Sequence, residues 1–157
     1  MPATTSADIR ALDSGDIEAM RAMLSMFGEA FGEADTYGDA QPGDDYLGQL
    51  LGGDHFIALA ALKDGEVVGG IAAYALDKFE QERSEVYIYD LAVAQGHRRE
   101  GIATAMIEKL QALAAERGAW VVFVQADHGD APAVALYDKL GAREDVLHFD
   151  IAVVRGT

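Results

Sequence analysis

The stretch Leu91-Ala92-Val93-Ala94-Gln95-Gly96-His97-Arg98-Arg99-Glu100-Gly101-Ile102-Ala103-Thr104-Ala105 constrains this chain more than any other. An apolar run enters a turn that holds glycine and base, and helical spacing follows at once, with Ile102, Met106, Leu110 and Leu113 at intervals of three and four. A strand that turns directly into a helix leaves the helix's first N–H groups without acceptors, and the helix dipole adds partial positive charge at the same place. Gly101 and Ala103 allow a ligand to approach the backbone, and His97, Arg98 and Arg99 form a dense basic cluster beside it. A diphosphate is the natural occupant. A capped surface helix would share the glycine, but not the strand and the basic cluster together.

The remainder reads as a mixed sheet with helices. Residues 7–12 predict a short first strand, followed by the turn residues Asp13, Ser14, Gly15 and Asp16. Ile17, Met20, Leu24, Phe27 and Phe31 then line one helix face, which is a core-packing pattern. Gly32–Gly43 reads as a loop able to order over a ligand, and Asp44–Leu51 as a short helix. His55–Leu62 and Val67–Leu76, separated by Lys63-Asp64-Gly65-Glu66, predict a hairpin. Glu85–Val93, rich in β-branched and aromatic residues, predicts the central strand. Helix Gly101–Arg117, buried strand Trp120–Ala126, helix Pro132–Leu140 and a last strand over about Glu144–Val153 complete the series. That order gives an α/β fold, a central mixed sheet flanked by helices on both faces, in a single domain over 1–157.

Composition narrows the classes of function. The 27 Asp and Glu against 12 Lys and Arg give a net charge of -15. No Lys or Arg occurs between Arg21 and Lys63, where Glu29, Glu33, Asp35, Asp39, Asp44, Asp45 and Asp54 all fall. Such a surface repels nucleic acid and attracts polycations, although acidity also simply keeps a small protein soluble. There is no cysteine, so disulfides, thiolate metal sites and a cysteine nucleophile are excluded. No apolar run is long enough to span a bilayer, and the N-terminus does not resemble a secretion signal, so a cytoplasmic protein with no membrane partner is expected.

Arg98-x-x-Gly101-x-Ala103, after Leu91-Ala92-Val93, resembles the acetyl-CoA signature of the GNAT acetyltransferases. Ala133-Val134-Ala135-Leu136-Tyr137-Asp138-Lys139-Leu140-Gly141-Ala142 resembles the second CoA-side helix of that family, with its tyrosine. Asp130 departs from the pattern, since many members carry asparagine there; it either faces the acceptor or caps the helix. Phe56-Ile57-Ala58-Leu59-Ala60-Ala61, Lys78-Phe79-Glu80-Gln81, Arg83–Asp90 and Gln125-Ala126-Asp127 are similar to the gentamicin-type aminoglycoside 3-N-acetyltransferases, which confer antibiotic resistance. The similarity covers nearly the whole chain, leaving out roughly Met1–Asp8 and Val153–Thr157.

The resemblance implies the GNAT acyl-CoA N-acyltransferase fold and direct attack of an amine on the thioester of acetyl-CoA, with no metal. Leu91, Ala92, Val93, Arg98, Arg99, Glu100, Gly101, Ile102, Ala103, Thr104 and Tyr137 become the expected CoA contacts. Asp90, at the end of the central strand, is the expected base. Tyr137 is the expected donor to the leaving thiolate, and a backbone N–H near Val93, at a bulge that the family carries in this strand, is the expected oxyanion donor. An aminoglycoside carries several ammonium groups, so carboxylates at Asp35, Glu80, Asp90, Asp127, Asp130 and Asp150 are the candidate acceptor contacts. An acetyltransferase of a polyamine or amino sugar would share this acidic character. A non-catalytic CoA-binding regulatory domain is disfavoured by Asp90 and Tyr137, and protein N-terminal acetylation would need a peptide groove that the sequence does not show. Trp120–Val124 fits either a core or a homodimer interface.

Overall fold

The structure is a computed structural model and describes residues 6–156. It divides into two compact units, one reaching to Gln125 and the other running from Ala126.

The first unit is built on five strands in the order β1-β2-β3-β4-β5: β1 (Asp8–Ala11), β2 (Phe56–Lys63), β3 (Glu66–Asp77), β4 (Ser84–Val93) and β5 (Ala119–Val124). The pairs β1–β2, β2–β3 and β3–β4 are antiparallel, and β4–β5 is parallel, as a crossover through helix α3 (Ile102–Glu116) requires. The expected mixed sheet is therefore present.

Alternation along the strands sorts the core into two layers. Ala58, Ala60, Ala72 and Ala92 join Met20, Met23, Met26 and Phe27 of α1 (Ile17–Phe31), and Leu47 and Leu51 of α2 (Asp44–Gly52), in one cluster. Small residues on the sheet let α1 approach closely: a Cβ at Gly70 would stand 2.5 Å from the Met23 sulfur. On the other face a Cβ at Gly69 would meet Ile102 and Met106 of α3, which are buried with Leu110. Fully burying side chains such as Phe27, Met23 and Leu110 contributes about 1.5–3 kcal/mol each, which fixes both helices to the sheet.

Three local expectations are revised. Within 32–43, the Glu33 N–H closes α1 by donating to the Gly28 carbonyl at 2.9 Å, and the backbone then makes a π-helical turn at Asp35–Asp39. The strand β5 is not buried throughout, since Trp120 is 55% exposed and its indole N–H donates to Glu85 while Arg83 stacks on its ring. No strand forms over 144–153 among the described residues. An alternating pattern specifies which face would be buried, but a strand also needs a hydrogen-bonding neighbour.

The second unit carries α4 (Ala131–Leu140). Pro132 lies in its first turn, and the Gly141 N–H donates to the Tyr137 carbonyl at its end, as the Pro and Gly positions predict.

Candidate active site

The site is organised by an irregularity in β4. Asp90 lies opposite Ala72 of β3 and Ile88 opposite Ala73, so Tyr89 is an extra residue with no partner in the ladder. Before the bulge, Val86 and Ile88 are buried on one face, and Tyr87 lies on the other, across from Tyr74. Without the extra residue, period-two alternation would send Asp90 to the face opposite Tyr87. With it, Asp90 and Ala92 turn to the α1 face. The expected bulge thus exists, but at Tyr89; Val93 itself sits in regular register with Gly69.

Asp90 is met there by a residue that the sequence reading did not single out. The Tyr37 hydroxyl, from the π-helical turn, donates to Asp90 Oδ2 at 2.9 Å. Tyr37 is held in turn by Gln41, whose amide donates to the Tyr37 carbonyl, and by edge-on packing on Phe27 and Phe31. Burial pushes the Asp90 carboxyl above its ordinary range, the Tyr37 hydrogen bond pulls against that, and the charge of Glu33 adds to the rise. Burial and the Asp90 carboxylate together push the Tyr37 phenol well up, so it remains a donor. A half-desolvated carboxylate with a raised pKa is a better proton acceptor than a solvated one. A lone aromatic in an acidic, glycine-rich loop was the available signal for Tyr37.

An aromatic lane runs beside Asp90 on the same face. Phe56, Tyr74, Tyr89, Tyr87 and Phe123 are linked by successive ring contacts, closing with Tyr87 stacked on Phe123 at 4.7 Å. Tyr89, carried on the bulge, is 60% exposed. Phenolic rings next to a carboxylate offer apolar faces and hydroxyls to a ligand that is both cationic and polar.

Beyond Ile88 the two parallel strands part, since the β4–β5 ladder ends at Ile88 and Val124. The Ala94 N–H donates to the Val68 carbonyl of β3 at 2.8 Å, so alternation aims the N–H groups of Leu91 and Val93 away from β3 and into the gap on the β5 side. Open backbone donors along this gap suit an extended amide-containing chain, with Ala92 buried behind them.

The basic, glycine-containing turn follows directly. After a short 3₁₀ turn at Gln95–His97, Arg99 and Gly101 take left-handed conformations, with φ 65° and 78°. The first hydrogen bond of the helix runs from the Ala105 N–H to the Gly101 carbonyl, so the amides of Ile102, Ala103 and Thr104 face outward from the helix start. Ile102 is buried and can contribute only through its backbone. Arg98 Nε lies 3.4 Å from the Val93 carbonyl, while Lys63 Nζ binds Glu100 Oε1 at 2.6 Å. That lysine holds the Glu100 carboxyl below its ordinary range and ties the turn to the end of β2. Glu100 therefore staples the turn through its side chain. The donors, the small residues and the two arginines fit a diphosphate.

The remaining candidates are dispersed. Asp35 and Glu80 belong to the first unit and are exposed, and Lys78 Nζ lies 3.7 Å from Glu80. Asp127, Asp130, Tyr137 and Asp150 belong to the second unit. Asp130 caps α4, its Oδ1 accepting from the Ala133 N–H at 3.3 Å. Asp150 pairs with His148 at 2.9 Å and is exposed, and Asp127 is exposed as well. Burial, and then the Asp130 charge, push the Tyr137 phenol up to about 12. Among the described residues no cluster of His, Asp or Glu could hold a metal ion, and no helix is long and apolar enough to cross a membrane.

Solved structures share this fold. An aminoglycoside acetyltransferase from an uncultured soil metagenomic sample is 59% identical and superposes with a TM-score of 0.93 over 95% of this chain and 99% of that one. A second such enzyme from a soil metagenomic sample, in complex with sisomicin, is 30% identical, with a TM-score of 0.86 over 94% and 96% of the two chains. The streptothricin acetyltransferase of Streptomyces lavendulae is 30% identical over 86 residues, which is 55% of this chain and 42% of that protein. Residues 20–142 match the model of the acetyltransferase (GNAT) family, and the chain belongs to that family.

Proposed function

We propose that this protein transfers the acetyl group of acetyl-CoA to the 3-amino group of a gentamicin-type aminoglycoside. The observation that carries the reading is the Asp90 carboxylate, turned by the Tyr89 bulge to the α1 face, half-desolvated and held by Tyr37. The similarity to two aminoglycoside acetyltransferases supports the acceptor class.

In this reading the acceptor arrives as an ammonium ion drawn by Asp90 and Glu33. Asp90 takes its proton, directly or through one water, and the freed amine attacks the thioester carbonyl. The Val93 N–H, open on the β5 side, is the proposed oxyanion donor. Collapse of the tetrahedral intermediate breaks the carbon–sulfur bond, and Tyr137 is the proposed proton donor to the CoA thiolate. Its raised pKa keeps that donor protonated at neutral pH.

Purified protein incubated with acetyl-CoA and either gentamicin or spermidine tests the assignment by thiol release, with the product located by NMR. Acetylation at the 3-amino group supports it. Turnover of spermidine with none of gentamicin would move the protein to the polyamine class, and acetylation at another amine would overturn the regiochemistry.

A further inference from the structure

A carboxylate stands inside the turn that fits a diphosphate. Among residues 95–101 Glu100 is the one acid, and with Arg98 and Arg99 counted against it that stretch carries two positive charges less one, a net +1 with His97 neutral. A diphosphate diester carries a negative charge on each phosphate. An uncompensated carboxylate beside it would offset part of the potential that the helix N-terminus and the arginines build. The Glu100 side chain is only 34% exposed, so water and salt screen its charge incompletely.

The compensating charge comes from another part of the sheet. Lys63 is the last residue of β2, and the Asp64-Gly65 turn after it folds β3 straight back. The extra residue in that ladder is Val68 on β3, so the alternation of β2 continues unbroken to its end. Leu62 accordingly packs against the α1-side cluster, which sends Lys63 to the α3 side. There Lys63 Nζ lies 2.6 Å from Glu100 Oε1, and His97 Nδ1 lies 3.5 Å from the same oxygen. The bond to Lys63 is the largest influence holding the Glu100 carboxyl below its ordinary range. Arg98 Nε is directed at the Val93 carbonyl instead. Adding Lys63 to the stretch brings its net charge from +1 to +2, which balances a diphosphate.

We propose that Lys63 is a positioning residue for the acetyl donor, acting through Glu100: its ammonium neutralises the carboxylate in the turn and so allows that turn to accept the donor's diphosphate. The inference rests on the reading of this turn as the acetyl-CoA site and is independent of the acceptor. Lys63 acts on affinity for the donor, not on the chemical step.

The test is calorimetric titration of the full chain with CoA, and with dephospho-CoA, which keeps the diphosphate and lacks the 3′-phosphate. Lys63→Met retains the apolar stem and removes the charge; its Kd for both compounds should rise about tenfold. In steady-state assays the loss should fall on the KM for acetyl-CoA rather than on kcat. Adding Glu100→Gln to Lys63→Met should recover most of the lost affinity, and Glu100→Gln alone should tighten binding. Recovery by a second substitution also excludes misfolding as the cause of the first effect. Three results would overturn the inference: wild-type affinity in Lys63→Met, a double variant as weak as Lys63→Met, or a loss seen with CoA and absent with dephospho-CoA. Wild-type protein that binds neither compound would overturn the reading of the turn, and the inference with it.

Discussion

Tyr37 and Asp90, 53 positions apart in the chain, are joined by a 2.9 Å hydrogen bond in which the phenol donates to Oδ2. The bond opposes the upward effect of burial on the carboxyl, so the basicity of Asp90 is set by a balance between the two.

Asp90→Asn should lower kcat by about 10²–10⁴-fold, the usual contribution of a positioned proton acceptor. Acetyl-CoA affinity by calorimetry should be unchanged. Near-normal turnover would remove Asp90 from this role. The same variant has a stability signature. A carboxyl whose folded pKa is raised contributes stability that is present below its unfolded pKa and lost as pH rises through the folded value. Asn lacks this loss, so the Tm of the variant should gain on the wild type as pH rises through the carboxylate range.

Tyr37→Phe removes the contact that lowers the Asp90 pKa. The acidic limb of the kcat/KM profile should then move to higher pH, because the carboxylate is protonated over a wider range. A limb that stays in place or moves to lower pH would show that the bond does not tune the base.

Tyr137→Phe should reduce kcat by on the order of 10²-fold where chemistry limits the rate. With the phenol pushed up to about 12, wild-type activity should not lose this donor at moderately alkaline pH. Unchanged single-turnover rates in the variant would refute the role.

Gly101→Val places a β-branched residue at φ 78°, a left-handed conformation that costs about 1–2 kcal/mol for an L side chain. The strain falls on the turn into α3, so the KM for acetyl-CoA should rise about tenfold, as 1.4 kcal/mol implies. A normal KM would mean that the turn does not contact the donor.

Acceptor capture by Asp90, Glu33 and the wider acidic field should weaken with salt, because exposed charges are screened beyond about 8–10 Å at 0.10–0.15 M. The acceptor KM is expected to climb between low and moderate ionic strength. Indifference to salt would count against electrostatic recruitment.

What could be read along the chain is what is encoded locally. The passage from Leu91–Val93 through Arg98–Gly101 into α3 was legible because apolar periodicity, a glycine and a helix start each act within a few residues. The cap and stop of α4 were legible for the same reason. The hairpin β2–β3 followed from Asp64-Gly65, both of which take positive φ. Asp90 was identified as a candidate, but not the face it occupies. That depends on an extra residue at Tyr89, and inserting one residue reverses every side chain beyond it while leaving the composition of the strand unchanged. Tyr37 escaped notice because its role is a contact across 53 residues, created only when α1 packs on Gly70 and brings the following turn over β4. The strand expected over 144–153 does not form, because alternation specifies a face but not the hydrogen-bonding neighbour that a strand requires. The sequence by itself thus determined most of the elements, the strand–turn–helix passage through Arg98–Gly101 and the chemistry available. The tertiary structure decided which of those groups share a face, because burial and pairing depend on residues distant in the chain.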